Sequence, residues 1–166
     1  MLKQLKSLVL FRKKGLGMGT LHTQVCPVAE FLNVFGDAWT LMLVREAFTG
    51  TTRFSDFERN TGIAKNVLSS KLSKLTHEGI IERANVGNRG TRFEYHLTEK
   101  GRALAPVLHT IQLWSNKHIF GEGNEPVLVV EKTSGEVLRH LEFLSQSGQG
   151  VDWNAVKTMP GPGASS

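Results

Sequence analysis

This chain has little of what proteins use for covalent staples, metal centres and membrane anchoring. It has one cysteine, Cys26, in 166 residues, which excludes an intrachain disulfide and any cysteine-rich zinc site. Its six histidines are His22, His77, His96, His109, His118 and His140. No two of them stand at metal-ligand spacing, so no metal or other cofactor is implied. No apolar run approaches the roughly 20 residues that a membrane span needs. The longest apolar stretch near the N-terminus is residues 8–11, and no small-residue cleavage pattern of a secretory signal follows it. Also missing are a nucleophile elbow, a phosphate loop, an HExxH segment and a convergent carboxylate pair. The expectation is a cytoplasmic protein that is not an enzyme.

What the chain does have is enough apolar residue for a core and an uneven distribution of charge. Apolar residues are 40% of the whole, and the length suits one ordinary domain with a modest appendage. Net charge is +5. Residues 1–20 hold five Lys/Arg and no acid, residues 21–120 twelve bases against nine acids, and residues 121–166 three against six. Between residues 65 and 92, six bases meet two acids. Positive charge concentrated on one segment suits a polyanionic partner. Residues 1–23 read as a basic tail, which translation from Met18 would largely remove. A membrane-surface helix is the competing reading of that tail.

Punctuation along the chain predicts the elements. Pro27 can open a helix over residues 27–34, which Gly36-Asp37 ends. Residues 39–48 are nearly all apolar, with Arg45 and Glu46 as exceptions, and predict a mostly buried helix closed by Gly50. Ser55 and Glu58 have capping-box spacing for a short third helix ending at Thr61-Gly62, the alternative being that Phe54-Ser55 already lies inside its first turn. The fourth helix covers residues 64–77, with Leu68, Leu72 and Leu75 forming one apolar stripe. Two strands follow, residues 80–83 and 91–97, joined by a glycine-rich loop. Thr98 can cap a fifth helix over residues 99–118, with a stripe of Leu104, Leu108, Ile111 and Leu113 or Trp114. Pro106 should kink or restart that helix. Residues 121–126 read as a linker, 127–131 and 137–144 as strands of a small β-rich extension over 127–158, and 159–166 as a disordered tail. Trp39 and Trp114 read as core and interface anchors rather than ligand stackers.

Helix, turn, helix and ribbon in this order make a mainly α fold with a small β-wing (α+β): a winged helix-turn-helix over residues 24–120. With the leucine stripe inward, Asn66, Ser70, Ser73 and His77 point outward, flanked by Lys65, Ser69 and Lys74. Asn can bond adenine bidentately, Ser can meet phosphate or base edges, and Lys neutralises phosphate. A solvated helix face would carry the same residue types, but the basic ribbon that follows favours DNA. Arg89 at the ribbon tip and Arg92 below it can bridge phosphates or enter a narrow minor groove. An exposed hairpin with incidental arginines is the plainer alternative.

Five segments are similar, in order, to the HxlR-type winged helix-turn-helix transcriptional regulators. They are Cys26-Pro27-Val28; Gly36-Asp37-Ala38-Trp39-Thr40-Leu41; Arg53-Phe54-Ser55-Asp56-Phe57; Leu72-Ser73-Lys74-Leu75 with Glu78-Gly79-Ile80-Ile81-Glu82-Arg83; and Tyr95-His96-Leu97-Thr98-Glu99-Lys100-Gly101. The resemblance covers residues 24–118. It implies a bacterial regulator bound as a homodimer to a palindromic site on double-stranded DNA. It also implies dimer contacts from the first and last helices, through Val28 and Phe31 on one and Leu104, Leu108, Ile111 and Trp114 on the other. Some relatives sense oxidants through a cysteine at the position of Cys26, which makes a redox or small-molecule effector an expected partner. The other reading of Cys26 is a small residue that starts a helix.

Two departures stand out. Ala64 occupies a cap position where relatives often have Ser. Thr133-Ser134-Gly135 and Gln146-Ser147-Gly148 stand where some relatives carry Cys-Gly pairs, and without thiolates no zinc ribbon forms. Two alternatives to specific DNA binding follow from the same residues. One is a winged helix that docks on protein, and the other is sequence-independent binding to nucleic acid.

Overall fold

A computed structural model describes residues 26–87, 92–139 and 141–162. The expected basic tail at 1–23, the wing tip with Arg89, and the last four residues lie outside the described residues. The chain divides into two units, Met1–Gly36 and Asp37–Ser166.

In the first unit, helix α1 (Pro27–Phe35) starts on its proline, with Cys26 in extended conformation as the cap residue. The missing N–H of proline costs nothing there, because the first turn has no intrahelical acceptor for it. Phe31 and Phe35 stack with ring centroids 4.6 Å apart. The Gly36 N–H closes the helix on the Leu32 carbonyl at 2.7 Å.

The second unit opens with α2 (Ala38–Phe48), capped by the Asp37 carboxylate, which accepts from the N–H groups of Trp39 and Thr40. Leu43 and Val44 on α2, Phe57 on α3 (Phe54–Thr61), and Leu68, Leu72 and Leu75 on α4 (Lys65–His77) are all buried and form the core. The third helix does not begin with the Ser55–Glu58 box. Arg53 is extended and bridges Glu94, and α3 begins immediately after it, which places Ser55 within the first turn. Gly62, at φ +69, makes the left-handed turn between α3 and α4, a conformation that costs a residue with a Cβ roughly 1 kcal/mol or more.

Strand β1 (Ile81–Asn85) pairs antiparallel with β2 (Phe93–Leu97), Ile81 opposite Leu97 and Asn85 opposite Phe93. The Thr52 carbonyl accepts from the Tyr95 N–H at 2.8 Å, so the chain before α3 runs along the other edge of β2. Thr98 caps α5 (Glu99–Arg102) by accepting from the Gly101 N–H, and its hydroxyl meets the Gly79 carbonyl at 2.7 Å. The single fifth helix expected from the sequence is two. Pro106 offers no N–H and its ring would strike the carbonyl four residues back, at Arg102. The helix stops there and restarts as α6 (Ala105–Ser115), which runs into a wide turn at Asn116–Phe120.

Beyond residue 126 there is less strand than the sequence suggests. Val130 and Val137 form an isolated bridge, and among the described residues there only β3 (Phe143–Leu144) and β4 (Gly150–Val151) pair as strands. Local β-propensity needs a neighbouring strand to become a sheet, and this segment supplies only one short one. The fold is mainly helical with a two-stranded wing, as the pattern of elements implies.

Gly101 is the tightest point of the domain. A Cβ built there would stand 2.2 Å from the Ile80 carbonyl oxygen, whereas at Gly150 the nearest atom is 3.7 Å away. Gly101→Ala should therefore cost about 1–3 kcal/mol and lower Tm, while Gly150→Ala should change it little. Thermal unfolding followed by circular dichroism compares the two, and equal Tm values would contradict the close approach.

Candidate nucleic-acid interface

The exposed face of α4 is set by what holds the helix from behind. Leu68, Leu72 and Leu75 are at most 1% exposed, which fixes the rotation of the helix. Lys71 lies in the same register, three residues after Leu68. Its Nζ reaches the Asp37 carboxylate at 3.0 Å, so one carboxylate caps α2 and anchors α4. Partial burial of Asp37 opposes its ionisation. The Thr40 hydroxyl at 2.5 Å, the Lys71 ammonium and the Thr40 N–H outweigh that and hold its carboxyl below the usual carboxylate range. A second network ties α2 to α3. The buried Glu46 carboxylate accepts from Asn60 Nδ2 at 3.1 Å and from the Thr51 hydroxyl at 3.3 Å, and pairs with Arg45 at 2.9 Å.

With the helix so held, Asn66, Ser69, Ser70 and Ser73 are all exposed on α4. Lys65 is exposed at its N-terminus, 3.9 Å from a Glu58 carboxylate oxygen, and Lys74 is half-buried. Ala64, the cap residue of α4, makes no side-chain cap bond. The first-turn N–H groups are therefore left to outside acceptors such as phosphate oxygens.

The base of the wing is closed by Asn85. Its side-chain oxygen accepts from the N–H groups of Gly87 at 3.1 Å and Arg92 at 3.2 Å, and the Val86 N–H donates to the Arg92 carbonyl at 2.8 Å. The Arg92 side chain is exposed. The Arg83 guanidinium lies over the Phe93 ring, 4.2 Å from its centroid, which stiffens the ribbon below the tip. Glu94 pairs with Arg53 at 3.5 Å and His96 at 3.4 Å.

Sequence reasoning assigned no role to Lys71, Asn85, Arg83 or Glu46. One signal was available for Lys71: a lysine in the register of a buried leucine stripe needs a carboxylate opposite. Asn85 also had one, because Asn at the mouth of a glycine-rich loop commonly bonds backbone N–H groups across it.

On α6, the exposed apolar side chains are Val107, Ile111 and Trp114, followed by His118, whose ring lies 5.2 Å from that of Trp114. These positions follow i, i+4, i+7 and i+11, which is one helix face. Leu104 and Leu108, expected on that face, are half-buried, because restarting the helix at Pro106 sets its rotation. On α1, Val28 and Leu32 are exposed, Phe31 is half-buried and so is Cys26. Trp39 is 39% exposed and is not a core anchor. Past α6, the turn at Thr133-Ser134 is organised by a carboxylate in place of thiolates. Glu131 accepts from the Thr133 N–H at 2.9 Å and from Ser134, which holds its carboxyl down to about 2. Among the described residues, no group of three or more His, Cys, Asp or Glu could hold a metal, and no helix is long and apolar enough to cross a membrane.

A family model described as HxlR-like helix-turn-helix matches residues 34–122. An HTH-type transcriptional regulator of Mycobacterium tuberculosis is 32% identical over 136 residues, which is 82% of this chain and 86% of that protein. Among solved structures, the candidate transcription factor PA1607 superposes with a TM-score of 0.74 at 35% identity, covering 82% of this chain and 96% of that one. The redox regulator HypR in its reduced form gives 0.51 at 32% identity, covering 54% of this chain and 90% of that one. Relatives of both lengths therefore exist, with and without a counterpart to the region after α6.

Asp37 gives a test of how α4 is anchored. Asp37→Ala should cost about 1–2 kcal/mol through the lost cap. Asp37→Asn keeps a cap acceptor and loses only the charge facing Lys71. A carboxyl held low in the folded state stabilises it above the unfolded value, and that stability is lost as pH falls through the folded value. The Asn variant should therefore melt below the wild type at pH 7, and the gap should close below about pH 4. A gap that stays constant down to pH 3 would remove the pair from this account.

Proposed function

The chain belongs to the HxlR-like helix-turn-helix family, and from that footing we propose that it is a sequence-specific transcriptional regulator acting on double-stranded DNA as a homodimer. The observation that carries the reading is the polar, short-chained face of α4, set by fully buried leucines and followed directly by a basic ribbon. On this reading α4 enters the major groove. Asn66 meets a base edge, Ser69, Ser70 and Ser73 meet phosphates or bases, and Lys65 and Lys74 neutralise the backbone. Arg89 and Arg92 on the wing grip the sugar-phosphate backbone or a narrow minor groove. The apolar face of α6, with the exposed side chains of α1, supports a homodimer, and a two-fold dimer calls for a palindromic operator. The compartment is the bacterial cytoplasm. A winged helix that docks on protein would carry apolar side chains at positions 66, 69, 70 and 73, where this chain has Asn and Ser.

Control of binding by an oxidant or a small effector belongs to the same proposal, with Cys26 as its thiol. HypR, one of the similar structures, is named as a redox regulator. A Cys26→Ser protein that released DNA normally in diamide would end that part of it.

Two substitutions separate positioning from reading. Arg92→Ala should weaken binding to every duplex and reduce the salt slope of log K by about one. Asn66→Ala should relax preference at one base position by about 1–3 kcal/mol. Selection from random duplex followed by titration at several salt concentrations measures both. An Asn66→Ala protein with wild-type affinity and an unchanged base preference at every position would remove that contact. Loss of all preference in the wild type against random competitor would favour sequence-independent binding.

A further inference from the structure

The region after α6 does not make a core of its own. Among the described residues, ten large apolar side chains between positions 127 and 159 are at least 40% exposed, and Val129 alone is buried. Phe143 and Leu144 are 58% and 65% exposed. They are neighbours on β3, so they point to opposite sides of the ribbon, and neither side is covered. A two-stranded ribbon with both faces open is marginal in water. Ten such side chains uncover on the order of 800 Å², about what one partner contributes to a standard interface.

We propose that this region is an arm that seats on a second copy of the chain and clamps the dimer; the proposal rests on the homodimer reading above. Three observations point to a second copy. The arm starts beside the α6 face, because Asn116, buried two residues after Trp114, donates from Nδ2 to the Val127 carbonyl at 2.9 Å. A partner packed on Val107, Ile111 and Trp114 lies within its reach. The second observation is charge. Residues 121–166 carry six acids and three bases, while residues 1–120 carry seventeen bases and nine acids. An acidic arm is repelled by DNA and attracted by the rest of this chain. The third is the arm's own open depression, about 410 Å³, whose lining includes Leu141, Phe143 and Trp153 together with Glu142 and Asp152. It suits an apolar segment carrying positive charge. The end of α6 and the turn after it present one, with Lys117, Ile119 and Phe120 all exposed.

The test uses the full-length protein. The dimer dissociation constant of wild type, of a Phe143→Asp/Trp153→Asp double variant and of Ile111→Asp is measured by sedimentation velocity across concentration. In the wild type, hydrogen exchange of amides 141–156 is followed above and below that constant. The arm requires at least about tenfold weaker dimerisation in the double variant. It also requires protection of 141–156 that falls when the wild type is diluted into monomer. Ile111→Asp tests the helix face by itself. If it gives monomers while the double variant dimerises normally, the arm is overturned and the helix dimer stands. If Ile111→Asp dimerises normally while the double variant does not, the α6 face is overturned and the arm stands. Exchange at 141–156 that is identical in monomer and dimer overturns the arm, and so does a wild type that stays monomeric at every concentration, which would leave a different protein as the occupant.

Discussion

The contact between Lys71 and Asp37 joins two jobs that the domain cannot do separately. The carboxylate terminates α2 at its N-terminus, and through the ammonium it fixes the far side of α4. A partly exposed ion pair is worth little by itself, roughly 0–1 kcal/mol. Its value here is directional. Leu68, Leu72 and Leu75 define which way α4 faces, and Lys71 removes the freedom to roll about that stripe. A helix that reads base edges needs its side chains held within about half an ångström. The buried Glu46 network does the same for α3, which positions the turn at Gly62 and so the first residues of α4.

The wing is built on the same plan, with rigidity at the base and chemistry at the tip. Asn85 closes the ribbon by accepting two N–H groups, Arg83 lies over Phe93, and the segment before α3 pairs along the outer edge of β2. Thr98 and Gly101 lock the other end of the ribbon against Ile80. The segment Leu97-Thr98-Glu99-Lys100-Gly101 therefore acts as a unit. Threonine supplies the cap, and glycine permits an approach that any Cβ would block.

How much of this could be read in the sequence depends on the range of the interaction. Local signals held well. The leucine stripe of α4, the cap at Thr98, the break at Pro106 and the two strands of the wing are decided by residues within a few positions of one another. Of the two starts open for the third helix, the structure takes the one with Phe54-Ser55 inside the first turn, and Arg53 before it is held by β2, some forty residues away. On α6, Val107, Ile111 and Trp114 are exposed and Leu108 is half-buried, because the restart at Pro106 sets the rotation. The polar face of α4 was legible, since it is the complement of the stripe. The anchor behind it was not, since Asp37 and Lys71 meet only in three dimensions. Residues 127–144 looked like strands because their composition is β-prone, yet composition carries no information about whether a partner strand exists.

The charge distribution makes the proposed division of surfaces consistent. A dimeric regulator has to present one basic face to DNA and keep a second face free for its partner. At physiological salt, fields decay over about 8 Å, so net charge steers only if it is segregated. Here it is segregated along the chain, with bases concentrated between residues 65 and 92 and acids in excess after residue 120. The acids after residue 120 are Glu122, Glu125, Glu131, Glu136, Glu142 and Asp152, whereas α4 and the ribbon expose Lys65, Arg83 and Arg92. The apolar stripe of α6 begins ten residues after the last strand of the wing, so it lies on the same covalent path as both surfaces. In the proposed homodimer, a partner bound there would set the spacing between two copies of α4, and that spacing would decide which half-sites one dimer can occupy at once. Recognition by that homodimer would depend on the stiffness of the dimer contact as much as on the polar side chains of α4.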